Sequence, residues 1–275
     1  MDPRPHARNH GFQWSPPAGP YRRITAEQAR RWSEDGYFVF EDALDADTLA
    51  RAIAEIDPWE AKVEAALREQ GGKRFIARAD EITFTVHLVT RSPFLRALCS
   101  GPLFQDLGAD LLGPDVRLYW DQAVYKKPGT ESPFPWHQDN GYNFVEPQCY
   151  LTCWIALTDA TVDNGCPWVV PGLHRRGTLE HWTTPLGYQC LEDPPGAVAA
   201  PARAGSIVVF TSLTPHATGA NRTGSVRKAY IVQLALDGTA QVKTDETGAP
   251  VRLLQNDPQR QFLITGSAPA ATPAA

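Results

Sequence analysis

The stretch CYLTCWIAL, residues 149–157, alternates Tyr150, Thr152, Trp154 and Ala156 with Cys149, Leu151, Cys153 and Ile155. Successive side chains of an extended chain point to opposite faces, so one of these two sets is expected to line a cavity. Four further runs share the texture: RLYWDQAVY (117–125), PWVV (167–170), SIVVF (206–210) and AYIVQLAL (229–236). Each is rich in Val, Ile, Tyr or Trp and is bounded by Pro, Gly and Asn clusters, the signature of short strands. From Val116 onward the chain therefore reads as a β-sandwich or barrel. No internal repeat is visible, which disfavours a solenoid or propeller.

Upstream the pattern is helical. Thr25 can cap a helix and Gln28, three residues on, can reciprocate; Gly36 ends it, and YFVFED (37–42) follows as a strand. Asp45 or Asp47 can cap a second helix carrying Leu49, Ile53 and Ile56, and Asp57-Pro58 is expected to open a third that Gly71-Gly72 stops. The fold expected is mainly β with N-terminal helices. With 275 residues and 43% hydrophobic content the chain can close one large core. We expect a single domain over 23–264, α-rich over 23–110 and β over 116–240. A polar, Pro-rich extension (1–22) and a small-residue tail (265–275) are expected to be flexible.

The net charge of −5 arises from interspersed acids and bases, without the basic stripe that a nucleic-acid backbone requires. No apolar run approaches a membrane span, and the N-terminus has no secretory apolar core. Five widely spaced cysteines, Cys99, Cys149, Cys153, Cys166 and Cys190, fit reduced thiols and a cytoplasmic location. Zinc is disfavoured for Cys149 and Cys153, since residues four apart on a strand lie about 13 Å from each other.

In FPWHQDN (134–140), His137 and Asp139 stand two apart, which on extended backbone places both side chains on one face. His216 follows the strand SIVVF behind Pro215 and supplies a second imidazole. Two histidines and a carboxylate with open positions suit non-haem iron(II). Arg227 begins the strand AYIVQLAL; the turn ANRTGSV (220–226) is expected to return that strand beside the one bearing His216, bringing a fork suited to a carboxylate near the metal. Arg222, in the turn itself, is the less favoured cation.

Three segments in order, WHQDNGYNF (136–144), CWIALTDATVDNGCPWVVPGLH (153–174) and TPHATGANRTGSVRKA (214–229), resemble the phytanoyl-CoA dioxygenase family of iron and 2-oxoglutarate oxygenases over residues 116 to 236. The resemblance implies a double-stranded β-helix, a cupin-like jelly roll. It implies iron held by His137, Asp139 and His216, 2-oxoglutarate salt-bridged to Arg227, and O2 as the other co-substrate. Thr218, Gln138 and Trp154 are implied as further contacts to 2-oxoglutarate, and Trp154 selects the cavity face of its strand. The activity implied is hydroxylation of a small-molecule metabolite with decarboxylation of 2-oxoglutarate to succinate. The chain departs from the family pattern at Leu173 in PGLH (171–174), where a small hydroxylated residue is usual, and at Pro167, where some relatives carry a hydroxyl.

The rival readings are a non-catalytic jelly-roll binding module and a cupin-like metal hydrolase. Arg227 argues against the first, and the absence of an evident general base against the second. His87 in ITFTVHLV (82–89) reads as a hydrogen-bonded, partly buried residue; His6, His10 and His181 read as tail or loop residues, and the role of His174 stays open. Among the aromatics Phe134, Trp136, Tyr142, Phe144 and Trp168, core packing competes with ligand contact; Tyr142 and Phe144, just beyond the metal motif, are the substrate candidates. Residues 70 to 95 and 177 to 200 carry no readable motif and are expected to choose the substrate. Without a basic cluster for a CoA phosphate, a smaller or uncharged metabolite is favoured. Oligomeric state is not legible.

Overall fold

The structure, a computed structural model, describes residues 3–266. Helix α1 (Ala26–Glu34) opens with a full capping box: Thr25 Oγ1 accepts from the Gln28 amide at 3.1 Å, and Gln28 Oε1 accepts from the Thr25 amide at 2.8 Å. Strand β1 (Tyr37–Phe40) follows, and then α2 (Ala46–Glu69), capped by Asp45.

The two helices expected on either side of Asp57-Pro58 are this single helix, with Pro58 inside it. Pro58 cannot donate to the carbonyl four residues back. Both halves are nonetheless held on one layer. Ala52, Ile56 and Leu67 are buried, and Lys127 pairs with Glu60 at 2.5 Å and with Glu64 at 3.7 Å.

The strands then follow as β2 (Lys73–Arg74), β3 (Ala77–Arg78) and β4 (Ile82–Val86). Helices α3 (Pro93–Cys99) and α4 (Pro102–Leu111) precede β5 (Val116–Lys126) and β6 (Phe134–His137). A one-turn helix α5 (Asp139–Tyr142) leads to β7 (Val145–Glu146), β8 (Leu151–Ala156) and β9 (Pro167–Val169). Next come β10 (Trp182–Thr184), β11 (Gly187–Gln189), β12 (Val198–Ala199), β13 (Ile207–Thr211), β14 (His216–Thr218) and β15 (Arg227–Leu236). The last are β16 (Ala240–Thr244), β17 (Pro250–Leu254) and β18 (Leu263–Thr265).

A large antiparallel sheet runs β1-β13-β8-β15-β5-β4-β3-β2, with β18 added beside β5, and a four-stranded sheet runs β12-β9-β14-β6. Alternation along the large sheet divides its side chains. Leu151, Cys153, Ile155, Val209, Tyr230 and Val232 share a core with helix residues such as Trp32, Ile56 and Phe104. Trp154, Ala156, Val208, Phe210, Ala229 and Ile231 share a second core with Phe134 and Trp168 of the small sheet. The large sheet is therefore covered by helices on one face and by the small sheet on the other, the double-stranded β-helix expected. The interior set of β8 is the one containing Trp154.

Residues 3–22, expected to be loose, run along this body. Pro5 bridges to Leu179, the His6 amide donates to the Thr178 carbonyl at 2.9 Å, and Trp14 packs edge-on against His174. Of the tail 265–275, residues 267–275 lie outside the described residues. Among the described residues, no helix is long and apolar enough to cross a membrane.

Candidate metal and co-substrate site

Strands β6 and β14 pair antiparallel with His137 directly opposite His216. Asp139 follows at the first position of α5, turned back toward them: its Oδ1 lies 3.9 Å from His137 Nε2 and 3.7 Å from His216 Nε2. One ligand atom from each of the three residues falls within 4.8 Å of the others.

Both imidazoles are oriented from behind. His137 Nδ1 donates to the Pro135 carbonyl at 2.8 Å, and His216 Nδ1 donates to the Thr214 carbonyl at 3.0 Å. A carbonyl only accepts, so each ring keeps its proton on Nδ1 and presents an Nε2 lone pair to the cluster. Burial lowers the pKa of His137 to about 3, reinforced by His216, and burial lowers that of His216 to about 4. Both are neutral, as a metal ligand must be. Asp139 is oriented as well, because Thr152 on β8 donates to its Oδ2 at 2.6 Å and Gln233 Nε2 donates to Thr152 Oγ1 at 3.3 Å. Burial raises the Asp139 pKa, against the opposing pull of His137 and Thr152. A divalent cation would compensate that buried carboxylate, so the donor set fits iron(II).

Arg227 opens β15 and is fully buried. Its Nη1 donates to the Val124 carbonyl at 3.2 Å, but Nε and Nη2 find no partner among the described residues. Burial lowers its pKa to about 10. An unpaired buried guanidinium is costly unless a ligand supplies the anion. Trp154 lies against it, with Cζ 5.1 Å from the ring centroid, and Thr218 Oγ1 is likewise buried without a partner. These orphaned donors fit the distal carboxylate of 2-oxoglutarate. Arg222 is exposed in the turn. The hairpin expected between the His216 and Arg227 strands does not form: β14 belongs to the small sheet, whereas β15 crosses to the large one and pairs with β5 and β8. Arg227 thus enters the interior from the sheet facing the histidines.

Two other expected contact residues are engaged by protein groups. The Gln138 carboxamide is fully buried and occupied by backbone: Nε2 donates to Gly177 O at 3.0 Å and Leu213 O at 2.6 Å, while Oε1 accepts from the Leu179 amide at 2.6 Å. Alternation turns it to the opposite side from its two neighbours, His137 and Asp139. Phe144 stacks on His6 at 4.7 Å, in a layer with the N-terminal segment. Tyr142 instead sits edge-on to His137, with centroids 5.3 Å apart, and clusters with Tyr188 at 5.1 Å and the exposed Phe75 at 6.4 Å.

The segments 70–95 and 177–200 meet at that cluster. Ile76 packs near Gly187, and the Arg78 guanidinium reaches the Pro185 carbonyl. His87 stands apart in a left-handed conformation against Trp120, and His174 is buried beside Trp14 and Gly36. All five cysteines are free. Sequence reasoning gave no role to Thr152 and Gln233. Both lay on interior positions already legible from alternation.

The phytanoyl-CoA dioxygenase (PhyH) family profile matches residues 32–229. The chain is 26% identical over 225 residues to the ectoine dioxygenase of Bordetella bronchiseptica, covering 72% of this chain and 71% of that one. It is 29% identical over 220 residues to the methylphosphonate hydroxylase of Gimesia maris, covering 78% and 82%. Among solved structures, the non-haem α-ketoglutarate-dependent carbocyclase SnoK of nogalamycin biosynthesis superposes with a TM-score of 0.67 at 25% identity, covering 90% of this chain and 100% of that one.

Proposed function

The chain belongs to the phytanoyl-CoA dioxygenase family and is a non-haem iron, 2-oxoglutarate-dependent dioxygenase of small molecules; on that premise we propose that His137, Asp139 and His216 hold its iron and that Arg227 anchors 2-oxoglutarate. The observation that carries the assignment is the pair of opposed histidines whose Nδ1 atoms are committed to backbone carbonyls, with a carboxylate oxygen within 4 Å of each Nε2. With iron, 2-oxoglutarate and O2 bound, the centre supplies an oxidant, made as 2-oxoglutarate loses carbon dioxide to become succinate, that can hydroxylate a C–H bond.

The remaining work belongs to the protein. Thr152 holds one oxygen of Asp139 so that the other faces the histidines. Arg227 and Thr218 donate to the distal carboxylate of 2-oxoglutarate, and Trp154 shields that ion pair from water, which strengthens it. Phe134 and Phe210 pack on His137 and His216, with ring centroids 5.0 and 4.5 Å away, and keep the ligands dry.

Tyr142 is the substrate contact we retain, at the junction of the two loops expected to choose the substrate; Phe144 is replaced in that role by Phe75 and Tyr188. We assign residues 23–264 to one oxygenase domain, because the helices and the small sheet cover opposite faces of one large sheet. The five free thiols support a reducing, cytoplasmic setting. The test is iron- and 2-oxoglutarate-dependent succinate release, screened across small metabolites. His137→Ala and His216→Ala are each expected to abolish it, and full release from either variant would reject the ligand set.

A further inference from the structure

The segment 177–181 is laced to the metal motif from the outside. His181 Nε2 accepts the Gln138 amide proton at 3.0 Å, and Gln138 is the residue between the two ligands His137 and Asp139. The other ring nitrogen, Nδ1, donates to the Leu179 carbonyl at 2.9 Å, which fixes the tautomer that leaves Nε2 free to accept. The ring lies flat over Gly141, where a Cβ would overlap it, so the α5 turn that starts at Asp139 accommodates this imidazole only with glycine at position 141. The Gln138 side chain returns the contact through Leu179 and Gly177. The segment is braced on its far side as well, by the Pro5 bridge to Leu179 and by Asn9 Nδ2, which donates to Arg176 O at 2.8 Å and Thr178 O at 3.0 Å.

From this we infer that His181 is a positioning residue for the iron site: its imidazole, seated on Gly141, fixes the backbone between His137 and Asp139 so that both ligands face one ion. The inference rests on the ligand assignment above. His181 lies more than forty residues from the motif and offers no atom to the ion; the residue it holds is Gln138. Without the ring, the Gln138 amide loses its acceptor and the space above Gly141 empties. The backbone joining the ligands then keeps only the Gln138 side-chain anchors and the pairing of His137 with His216, and the two donors converge less closely.

The test measures iron(II) affinity anaerobically, by competition with a chromophoric chelator, on the full chain, with thermal unfolding of the metal-free protein alongside. Loss of such an outer contact costs about 10- to 100-fold in metal affinity. His181→Phe fills the space without an acceptor and is expected to show that loss. His181→Gln, whose amide oxygen can accept from Gln138, is expected to recover most of it. Gly141→Ala is expected to weaken iron binding in the wild-type background and to cost much less in His181→Ala, where the ring it would strike is gone. Wild-type affinity in folded His181→Phe, or equal losses for His181→Phe and His181→Gln, would overturn the inference. So would additive losses from Gly141→Ala and His181→Ala. Absence of iron binding by the wild-type chain would instead reject the ligand assignment itself, and the inference with it.

Discussion

Replacing Arg227 with methionine should move ligand binding and stability in opposite directions. The guanidinium is fully buried, with Nε and Nη2 unpaired among the described residues, and burial, opposed by Cys166, brings its pKa from 12.5 to about 10. That corresponds to a penalty of about 3 kcal/mol on the charged form in the ligand-free protein. Methionine fills similar volume without the charge, so the apo variant should be more stable, by roughly 1–3 kcal/mol, or a rise in Tm of about 2–10 °C for a chain of this size. With 2-oxoglutarate the sign reverses. Two charge-assisted hydrogen bonds, each worth about 1.5–3 kcal/mol, are lost from a dry site. Affinity should fall by about 10²- to 10³-fold or more. Calorimetric titration of 2-oxoglutarate into the anaerobic iron(II) protein reads the second effect, and scanning calorimetry of the apo protein reads the first. If affinity stays within about threefold of wild type, the carboxylate is held elsewhere, with Arg222 the next candidate. A lowered apo Tm would show that the unpaired guanidinium is not the burden described.

Thr152→Val removes the donor to Asp139 Oδ2 and should weaken iron(II) binding about tenfold or more with little change in fold, as chelator competition would show; undiminished affinity would mean that Asp139 is oriented by other groups. The buried His174 has its pKa lowered to about 4, by burial first of all, against about 6.5 when unfolded. Its contribution to stability is fully present above pH 6.5 and is lost as pH falls toward 4, at about 1.4 kcal/mol per pH unit. Denaturant unfolding across that window should give a slope shallower by this amount in His174→Gln, and an identical slope would mean that His174 is protonated in the folded state.

What the sequence made legible followed from local periodicity and from ligand chemistry. Alternation placed Trp154 and Thr152 on one face of β8, and that face is the interior. The spacing of His137 and Asp139, with His216 and Arg227 downstream, was readable because each residue type has a narrow chemical use. The errors came where long-range packing overrode a local rule. Pro58 signalled a boundary, but the apolar stripe and acidic pairs of α2 carry the helix through it. The turn between His216 and Arg227 looked like a hairpin, yet a jelly roll passes alternately between its sheets. The placements of Gln138, Phe144 and His181 depend on the segments 3–9 and 177–181 lying against the metal motif, a juxtaposition that leaves no mark on spacing or composition.

The most direct measurement of the central claim is the visible absorption of the protein given iron(II) and then 2-oxoglutarate without oxygen. Chelation of the co-substrate by iron bound to His137, Asp139 and His216 should produce a weak charge-transfer band in the wild type and none in His216→Ala. An undiminished band in that variant, or no band in the wild-type chain, would contradict the account.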